Sequence, residues 1–290
     1  MKHPTRWVFI LSFLLSLQAS LSYSQEKTSL TSPDNKSTII LGYKEGSKPP
    51  YIGNKNDNSG AYRELFSKAA EMIGLSLEIV RLPKKRVYHH LKEGDIDFYP
   101  SSGFSEKRSQ FLYWLDNGFL SKQALVSDIT DFEIKDFKKA KGTLLVPLGG
   151  SSAEYAKGAP QVSIQKMGKL PIDKAIQALK LGRGNFYVYD IDILDYYLKR
   201  NRIKQFSDIG LRLHPNAIEK EYSSLKAAFS INSKHFKQQQ NSRFDKNSAL
   251  GFNNQKTSPH KGSAAYQFQQ ALKHLQESGY TQTVYQKYFK

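Results

Sequence analysis

The chain of 290 residues contains no cysteine. This absence excludes disulfide bonds, catalytic thiols and the lipid that bacterial lipoproteins attach to their first mature cysteine. After the N-terminus, no apolar run approaches the roughly 18 residues that a membrane-spanning helix requires. The sequence also lacks a phosphate-binding loop, a His-Glu-x-x-His motif and a Gly-x-Ser-x-Gly motif. We therefore expect a protein that is stabilised by an ordinary hydrophobic core and that carries no signature of the common hydrolases.

The N-terminus has the composition of a secretory signal peptide. Lys2 and Arg6 precede a short apolar run over residues 7–17, and small residues follow up to Ser24. A basic start, an apolar stretch and a small-residue exit are typical of an export signal. We predict a signal peptide over residues 1–24 that is cleaved near Ser24, and hence a soluble periplasmic protein. A membrane anchor that is retained in the mature protein is the alternative.

Basic residues are in large excess, with 43 Lys and Arg against 26 Asp and Glu and a formal net charge of +17. The basic residues are scattered and lack the platform of aromatic and basic side chains that binds single-stranded nucleic acid. We therefore predict no nucleic-acid partner for an exported protein. Diffuse positive charge most often serves solubility, and attraction to an acidic ligand or to anionic polymers of the envelope are the alternatives.

Helix and strand patterns alternate in the first half of the chain. An apolar strand over residues 39–41 precedes a helix that Ser59 can cap and Gly74 can end. A second helix over about Lys84–Glu93 ends at Gly94, before another strand. This order predicts parallel βαβ units in which helices cover a sheet.

The same order returns in the second half. A strand over residues 143–146 precedes a helix that Pro171 opens and Gly182 closes, and a further strand follows over residues 185–189. The chain is therefore predicted to contain two α/β units of similar plan. Residues 232–262 are rich in Gln, Asn, Ser and Lys, which predicts a mobile loop.

Five segments carry a resemblance to a known family. They are Lys48-Pro49-Pro50-Tyr51, the helix from Gly60 to Gly74, the segment from Leu91 to Phe98, Ser105-Glu106-Lys107-Arg108, and the closing segment from Ser278 to Phe289. In this order and spacing they resemble the family 3 extracellular solute-binding proteins, the polar amino-acid type of periplasmic binding protein. The resemblance covers residues 39–290 except 131–142 and 232–262.

The resemblance implies a fold as well as a function. The expected fold is an α/β, periplasmic-binding-protein-like fold of type II, with two α/β lobes that are joined by two crossing strands and close on a ligand by a hinge. Lobe one is expected to comprise residues 38–120 and 228–290, and lobe two residues 121–227. The crossings are expected near residues 121–127 and 225–231.

The resemblance also implies ligand-binding residues in lobe one. Arg108 of the Ser-x-x-Arg turn corresponds to the arginine that holds a ligand carboxylate, and its fork geometry suits that contact; a surface arginine is the alternative. Ser101, Ser102 and Gly103 follow a strand end, which is where α/β sheets usually bind ligands. Tyr51 could stack against the ligand or simply pack its own loop.

In lobe two, Gly150, Ser151 and Ser152 resemble the family's turn at a helix start, where backbone amides favour an anion. A flexible loop is the alternative for this segment. Asp190 stands where the family places the aspartate that pairs with a ligand α-amino group. It could equally cap the helix that follows it.

The function that the resemblance implies is capture of an amino acid or related zwitterion for an ABC importer, by a monomer that needs no cofactor. His89 and His90 point in different directions on a helix, so no metal site is predicted. A sensory or partner-binding role that reports closure to a membrane receptor is one alternative. The other is a dehydratase-type enzyme that uses Glu106 or Asp190 as an acid.

Overall fold

The computed structural model describes residues 37–148 and 150–290. The predicted signal peptide lies outside these residues, and so do Gly149 and the side chain of Ser151. Within the described part of the chain, no helix is long and apolar enough to span a membrane.

The strands in chain order are β1 (Thr38–Lys44), β2 (Ser76–Leu82), β3 (Phe98–Tyr99), β4 (Leu112–Ser121), β5 (Gln123–Asp128), β6 (Gly142–Pro147), β7 (Val162–Met167), β8 (Phe186–Asp190), β9 (Leu211–His214), β10 (Ser223–Ser230), β11 (Gln238–Gln240) and β12 (Thr257–Pro259). The α-helices are α1 (Ala61–Met72), α2 (Lys84–Glu93), α3 (Ile172–Lys180), α4 (Ile191–Arg200), α5 (Ala264–Glu277) and α6 (Tyr280–Phe289). Short 3₁₀ helices cover Arg108–Gln110, Phe137–Lys139, Ser151–Gly158 and Phe206–Ile209.

The first sheet has the strand order β2-β1-β3-β10-β4. Strand β1 pairs in parallel with β2 and β3, because α1 and α2 return the chain to the same end of the sheet. Strand β10 is antiparallel to both β3 and β4. The carboxyl ends of β1, β2 and β3 therefore meet at one edge, which is the usual ligand edge of an α/β sheet.

The second sheet repeats this plan with the order β7-β6-β8-β5-β9. Strand β6 is parallel to β7 and β8, and β5 is antiparallel to β8 and β9. The chain leaves the first sheet at Lys122 and returns through residues 215–222, so β10 lies wholly in the first sheet. Two lobes with two crossings confirm the predicted fold class, and β10 begins before the boundary at residue 228 that the sequence suggested.

The start of α1 differs from the prediction that Ser59 caps it. The N-cap residue is Gly60, with φ 121°, and no side chain caps the helix. Instead, the carbonyl oxygens of Pro50 and Tyr51 accept hydrogen bonds from the first helical amides, at 3.0 and 3.2 Å. A Cβ at position 60 would lie 2.5 Å from the Tyr51 carbonyl oxygen, so only glycine permits this approach. These two hydrogen bonds hold the loop before α1 against the first turn of the helix.

A continuous hydrophobic cluster extends through both sheets. Leu41 on β1 and Tyr187 on β8 belong to it, and both are fully or almost fully buried. In lobe one its centre is aromatic, with Phe66 packed edge-on against Phe98 at 5.2 Å. Replacing such a phenylalanine by alanine typically costs about 3–5 kcal/mol of stability. The lobes are therefore in apolar contact in this form of the protein.

Residues 232–262, predicted as a mobile loop, contain the antiparallel hairpin of β11 and β12. The side chain of Gln255 accepts a hydrogen bond from Trp114 N and donates one to Trp114 O, both at 2.8 Å. These bonds satisfy backbone groups on β4, the edge strand of the first sheet. The segment therefore covers a sheet edge.

Candidate functional site

The candidate site lies where the carboxyl ends of parallel strands from both sheets converge. Lys48 follows β1 of the first sheet, and Asp190 is the last residue of β8 in the second. Their side chains form an ion pair across the two lobes. Only 20% of the Lys48 side chain and 8% of the Asp190 side chain are exposed, so the pair is largely shielded from water.

Asp190 is also held from within its own lobe. Its Oδ1 accepts a hydrogen bond of 2.5 Å from Nε2 of Gln123, which lies at the start of β5. Asp190 occupies the N-cap position of α4, yet its carboxylate makes no capping bond to that helix. Among the described residues its partners are therefore Lys48 and Gln123, and the simple capping role that the sequence left open is not what the carboxylate does.

Two tyrosine rings flank the Lys48 ammonium. Nζ lies 5.6 Å from the centroid of Tyr51 and 5.4 Å from that of Tyr189. Burial alone would lower the pKa of Lys48, but the charge of Asp190 outweighs it, so the pKa is raised above its ordinary value. The lysine is thus held as a cation in a pocket of the kind that binds ammonium groups.

The backbone before α1 fixes where Lys48 points. Lys48 N donates to Ile52 O at 2.7 Å, and Ile52 N donates to Lys48 O at 2.9 Å. Tyr51, between them in the chain, is fully buried and stacks on Tyr62 at 4.7 Å. Tyr51 therefore packs into the core next to Lys48 and presents little ring surface for a ligand to stack on.

Arg108 lies in a second part of the site, at the start of a 3₁₀ helix. Its backbone N donates to Ser105 O at 2.9 Å, which closes the Ser-x-x-Arg turn. The guanidinium stacks on the ring of Tyr88 from α2, with Cζ 4.2 Å from the ring centroid. Tyr88 in turn shares a hydrogen bond of 2.7 Å with the hydroxyl of Ser102. A stacked guanidinium keeps its hydrogen-bonding edge free for a planar anion.

The strand-end residues of lobe one serve different purposes. Ser102 is buried, and its N donates to Lys226 O at 2.9 Å, so this amide is already used by the protein. Ser101 lies beside the hydroxyl of Tyr62, whose pKa burial raises to about 12. Gly103 is exposed. Of these three, Ser101 is the residue that acts on Tyr62, the ring on which Tyr51 stacks.

The turn at residues 150–152 lies at the carboxyl end of β6. Gly150 N donates to Pro147 O at 2.8 Å, so this amide is used within the turn. The 3₁₀ helix Ser151–Gly158 follows, and Ser152 is half-buried in it. Tyr155 of this helix donates to Glu219 at 3.1 Å, and its pKa is raised by burial, by Glu219 and by the charge of Asp190. Tyr155, rather than Gly150 or Ser152, is thus the described link from this segment to the centre.

A cluster of cations that the sequence reasoning missed surrounds the first-sheet edge of the site. Lys44 is the last residue of β1, and Lys84 is the first residue of α2. The pKa of Lys44 is lowered to about 8 by burial and by Lys48 and Lys84. Although much of the Lys84 surface is exposed, its pKa is also lowered to about 8, by local desolvation and by Arg108 and Lys48. Positive charge is therefore concentrated here beyond what nearby acids compensate.

Part of this cluster had a signal in the sequence. Lys48 belongs to the Lys-Pro-Pro-Tyr motif, Lys44 lies in the loop that follows the predicted strand over residues 39–41, and Lys84 is the first residue of the predicted helix Lys84–Glu93. Gln123 had no such signal. Among the described residues, no group of His, Asp and Glu side chains stands close enough together to hold a metal ion.

Comparison with known proteins gives fold-level similarity. No protein-family model and no curated protein sequence matches the chain. A solved ancestral arginine-binding protein bound to arginine superposes with a TM-score of 0.62 at 19% identity, covering 88% of this chain and 99% of its own. The substrate-binding protein of an amino acid ABC transporter gives 0.59 at 18% identity, with coverages of 87% and 99%. A histidine kinase sensor domain with similarity to periplasmic binding proteins gives 0.60 at 18% identity, with coverages of 88% and 97%.

These likenesses extend over nearly the whole length of the other proteins and agree with the two-sheet topology described above. The resemblance predicted from five sequence motifs is therefore confirmed at the level of fold: the chain has the two-lobed α/β fold of the family 3 amino-acid-binding proteins.

Proposed function

We propose that this protein binds a small polar solute between its two lobes, in the periplasm, after export directed by residues 1–24. The observation that carries the proposal is the meeting of two strand-end edges at Lys48 and Asp190, with Arg108 and its supporting Tyr88 beside them. Polar and charged groups converge there from both lobes, which is the arrangement that lets ligand binding favour closure.

Arg108 is the group that would receive a ligand carboxylate. It is half-buried, it is oriented by its stack on Tyr88, and it forms no ion pair within residues 37–148 and 150–290. A half-buried guanidinium without an ion pair gains more binding free energy from a bidentate anion than an exposed arginine does. The proposed ligand therefore carries at least one carboxylate or comparable planar anion.

Delivery to an ABC importer and signalling to a membrane receptor both use the closed, liganded form. Solved proteins of each kind share this fold, so the proposal is solute capture, with transport as its first candidate use. A dehydratase role has less support. Glu106 is exposed, and Asp190 is already paired with Lys48, so neither carboxyl group stands as an isolated acid in the site.

The test is a thermal-shift screen of the mature protein against amino acids, small organic acids and polyamines, followed by calorimetry of the best ligand. Binding should raise Tm in a concentration-dependent manner. Arg108→Ala should weaken that ligand about 10- to 100-fold, the range expected for loss of a charge-assisted hydrogen bond. Arg183→Ala, at an exposed turn of lobe two, is the matched control and should bind as wild type.

Unchanged affinity in Arg108→Ala would remove the carboxylate assignment. Conversion of the bound compound, followed by mass spectrometry after long incubation, would replace the binding proposal with an enzymatic one.

A further inference from the structure

Lys48 fills the place in which a ligand ammonium would be held. Its Nζ contacts the carboxylate of Asp190 and faces the rings of Tyr51 and Tyr189 at 5.6 and 5.4 Å. A carboxylate with aromatic faces around it is the usual environment of a bound ammonium group. Here both halves of the pair belong to the protein, and they come from opposite lobes.

An amino acid would have to displace Lys48 in order to use Asp190. The displaced ammonium would then lie in a closed cleft beside Lys44 and Lys84, without a counter-ion. An unpaired charge in such a place costs several kcal/mol. The lysine is also attached to the site and therefore competes at a high effective concentration. The built-in pair thus disfavours zwitterions.

Apart from the pair of Lys48 and Asp190, the charged side chains of the site are positive. Lys44, Lys84 and Arg108 form no ion pair in the described part of the chain. Glu219, which is linked to Asp190 through Gln123, is engaged by Tyr155 OH at 3.1 Å and by Gln123 N at 2.9 Å.

The backbone brings these cations together, because Lys44 pairs with Leu82 just before Lys84, and Tyr88, which carries Arg108, lies about one helical turn after Lys84. Burial first, and then repulsion among the cations, lower the pKa of both lysines to about 8. Bringing two negative charges among them would relieve this repulsion, whereas a neutral zwitterion would relieve it less.

We propose, on the basis of the proposed solute-binding function, that the cleft selects a small dianion, held by Lys44, Lys84 and Arg108, while Lys48 serves as the internal counter-ion of Asp190. The shared chemistry is two negative charges within one small molecule. A dicarboxylate and a phosphate group both satisfy it, and the probes below separate them.

The first experiment measures binding to the mature protein by calorimetry at pH 7, with succinate, inorganic phosphate and L-glutamine as probes. The wild type binds succinate or phosphate and binds glutamine at least tenfold more weakly. Lys84→Met weakens the dianion at least tenfold. Lys85→Met, which removes the neighbouring exposed lysine of α2, leaves the affinity within twofold.

The second experiment removes the internal counter-ion. Lys48→Met leaves Asp190 without its cation, so glutamine binds at least tenfold more tightly than to wild type while the dianion binds more weakly. Lys48→Gln, which keeps a hydrogen-bond donor near Asp190, is the companion variant in case the methionine variant does not fold.

Proton uptake supplies a readout that needs no variant. The charged groups that act on the pKa of Lys44 are Lys48, Lys84 and Asp190, and those that act on the pKa of Lys84 are Arg108 and Lys48. At pH 8 each of the two lysines is about half protonated, so a bound dianion draws up to about one proton in total from the buffer. Calorimetry in two buffers of different ionisation enthalpy measures this number.

The outcomes distinguish failure of the dianion site from failure of the solute-binding function. Glutamine binding to wild type as tightly as to Lys48→Met overturns the dianion site and leaves the solute-binding function standing. Dianion binding that Lys84→Met does not weaken also overturns it. Absence of binding of all three probes to wild type and to both Lys48 variants overturns the dianion site, and a failed screen of wider solutes then overturns solute binding itself.

Discussion

The ion pair between Lys48 and Asp190 can be tested by a double-mutant cycle on the ligand-free protein. The variants are Lys48→Met, Asp190→Asn and the two together. Breaking a buried pair by removal of one partner costs about 3–5 kcal/mol, because the other charge stays buried and uncompensated. The Lys48 side chain is 20% exposed, so its ammonium can partly turn to water. We therefore expect about 2–4 kcal/mol for each single variant.

The double variant should lie within about 1 kcal/mol of wild type, because replacing a whole buried pair by neutral groups of similar size is often nearly neutral. Methionine can pack against the rings of Tyr51 and Tyr189, and asparagine at position 190 can keep its bond to Gln123. The coupling energy is then at least about 3 kcal/mol, well above the additivity error of about 0.5 kcal/mol.

The assay is urea unfolding that is followed by tryptophan fluorescence and by circular dichroism, with coincident transitions required because the protein has two lobes. Thermal unfolding gives a second estimate, with about 2–4 °C expected per kcal/mol for a unit of this size. Strict additivity of the two single variants, with a coupling energy below about 0.5 kcal/mol, would show that the ion pair does not form in solution.

Three further predictions concern the surroundings of the site. Tyr285→Phe removes a hydrogen bond of 2.7 Å from α6 to the buried Asp192 of α4, a contact between the lobes, and should cost about 1–2 kcal/mol in urea unfolding. Lys44→Met should stabilise the protein at pH 7 and flatten its pH profile. The pKa of Lys44 is about 8 in the folded protein, against its ordinary value of 10.5. Between these two pH values the unfolded chain binds more protons than the folded protein does, so the stability of the wild type rises with pH. Lys44 contributes up to about 3 kcal/mol to this rise. Gln255→Ala removes both bonds to the backbone of Trp114 and should make residues 232–262 more sensitive to limited proteolysis, with a loss of about 1–2 kcal/mol.

A specific result would contradict each of these three predictions. A Tyr285→Phe variant as stable as wild type would mean that the contact between α6 and α4 is not made. The same stability slope between pH 8 and 10.5 in Lys44→Met and in wild type would mean that Lys44 titrates normally. Cleavage of Gln255→Ala at the wild-type rate would mean that the hairpin does not depend on the edge of β4.

Several elements were predictable because their determinants are local. The helix Lys84–Glu93 and its end at Gly94, with φ 88°, follow from an apolar stripe and a glycine in the left-handed conformation. The cap of α1 was not predictable in this way. Its amides are satisfied by carbonyls of a loop that must first be folded back on the helix, and this arrangement is visible only in three dimensions.

In the candidate site, too, the residues with local determinants could be predicted and their long-range partners could not. Arg108, Ser101 and Asp190 could be proposed because each stands at a strand end or in a recognisable turn, and such positions are local features of the chain. The partner of Asp190 could not be proposed, since Lys48 is separated from it by 142 residues and belongs to the other lobe.

The order of helices and strands, the two α/β units and the strand ends at which ligand contacts gather could be predicted from the sequence, because periodicity and turn chemistry act over a few residues. Which charges meet depends on how the two lobes pack together. The net charge of +17 gave no indication that Lys44, Lys48, Lys84 and Arg108 would gather at one edge, or that one of them would neutralise Asp190. Electrostatic energies depend on distance and burial, and those quantities arise only when the two lobes are packed together.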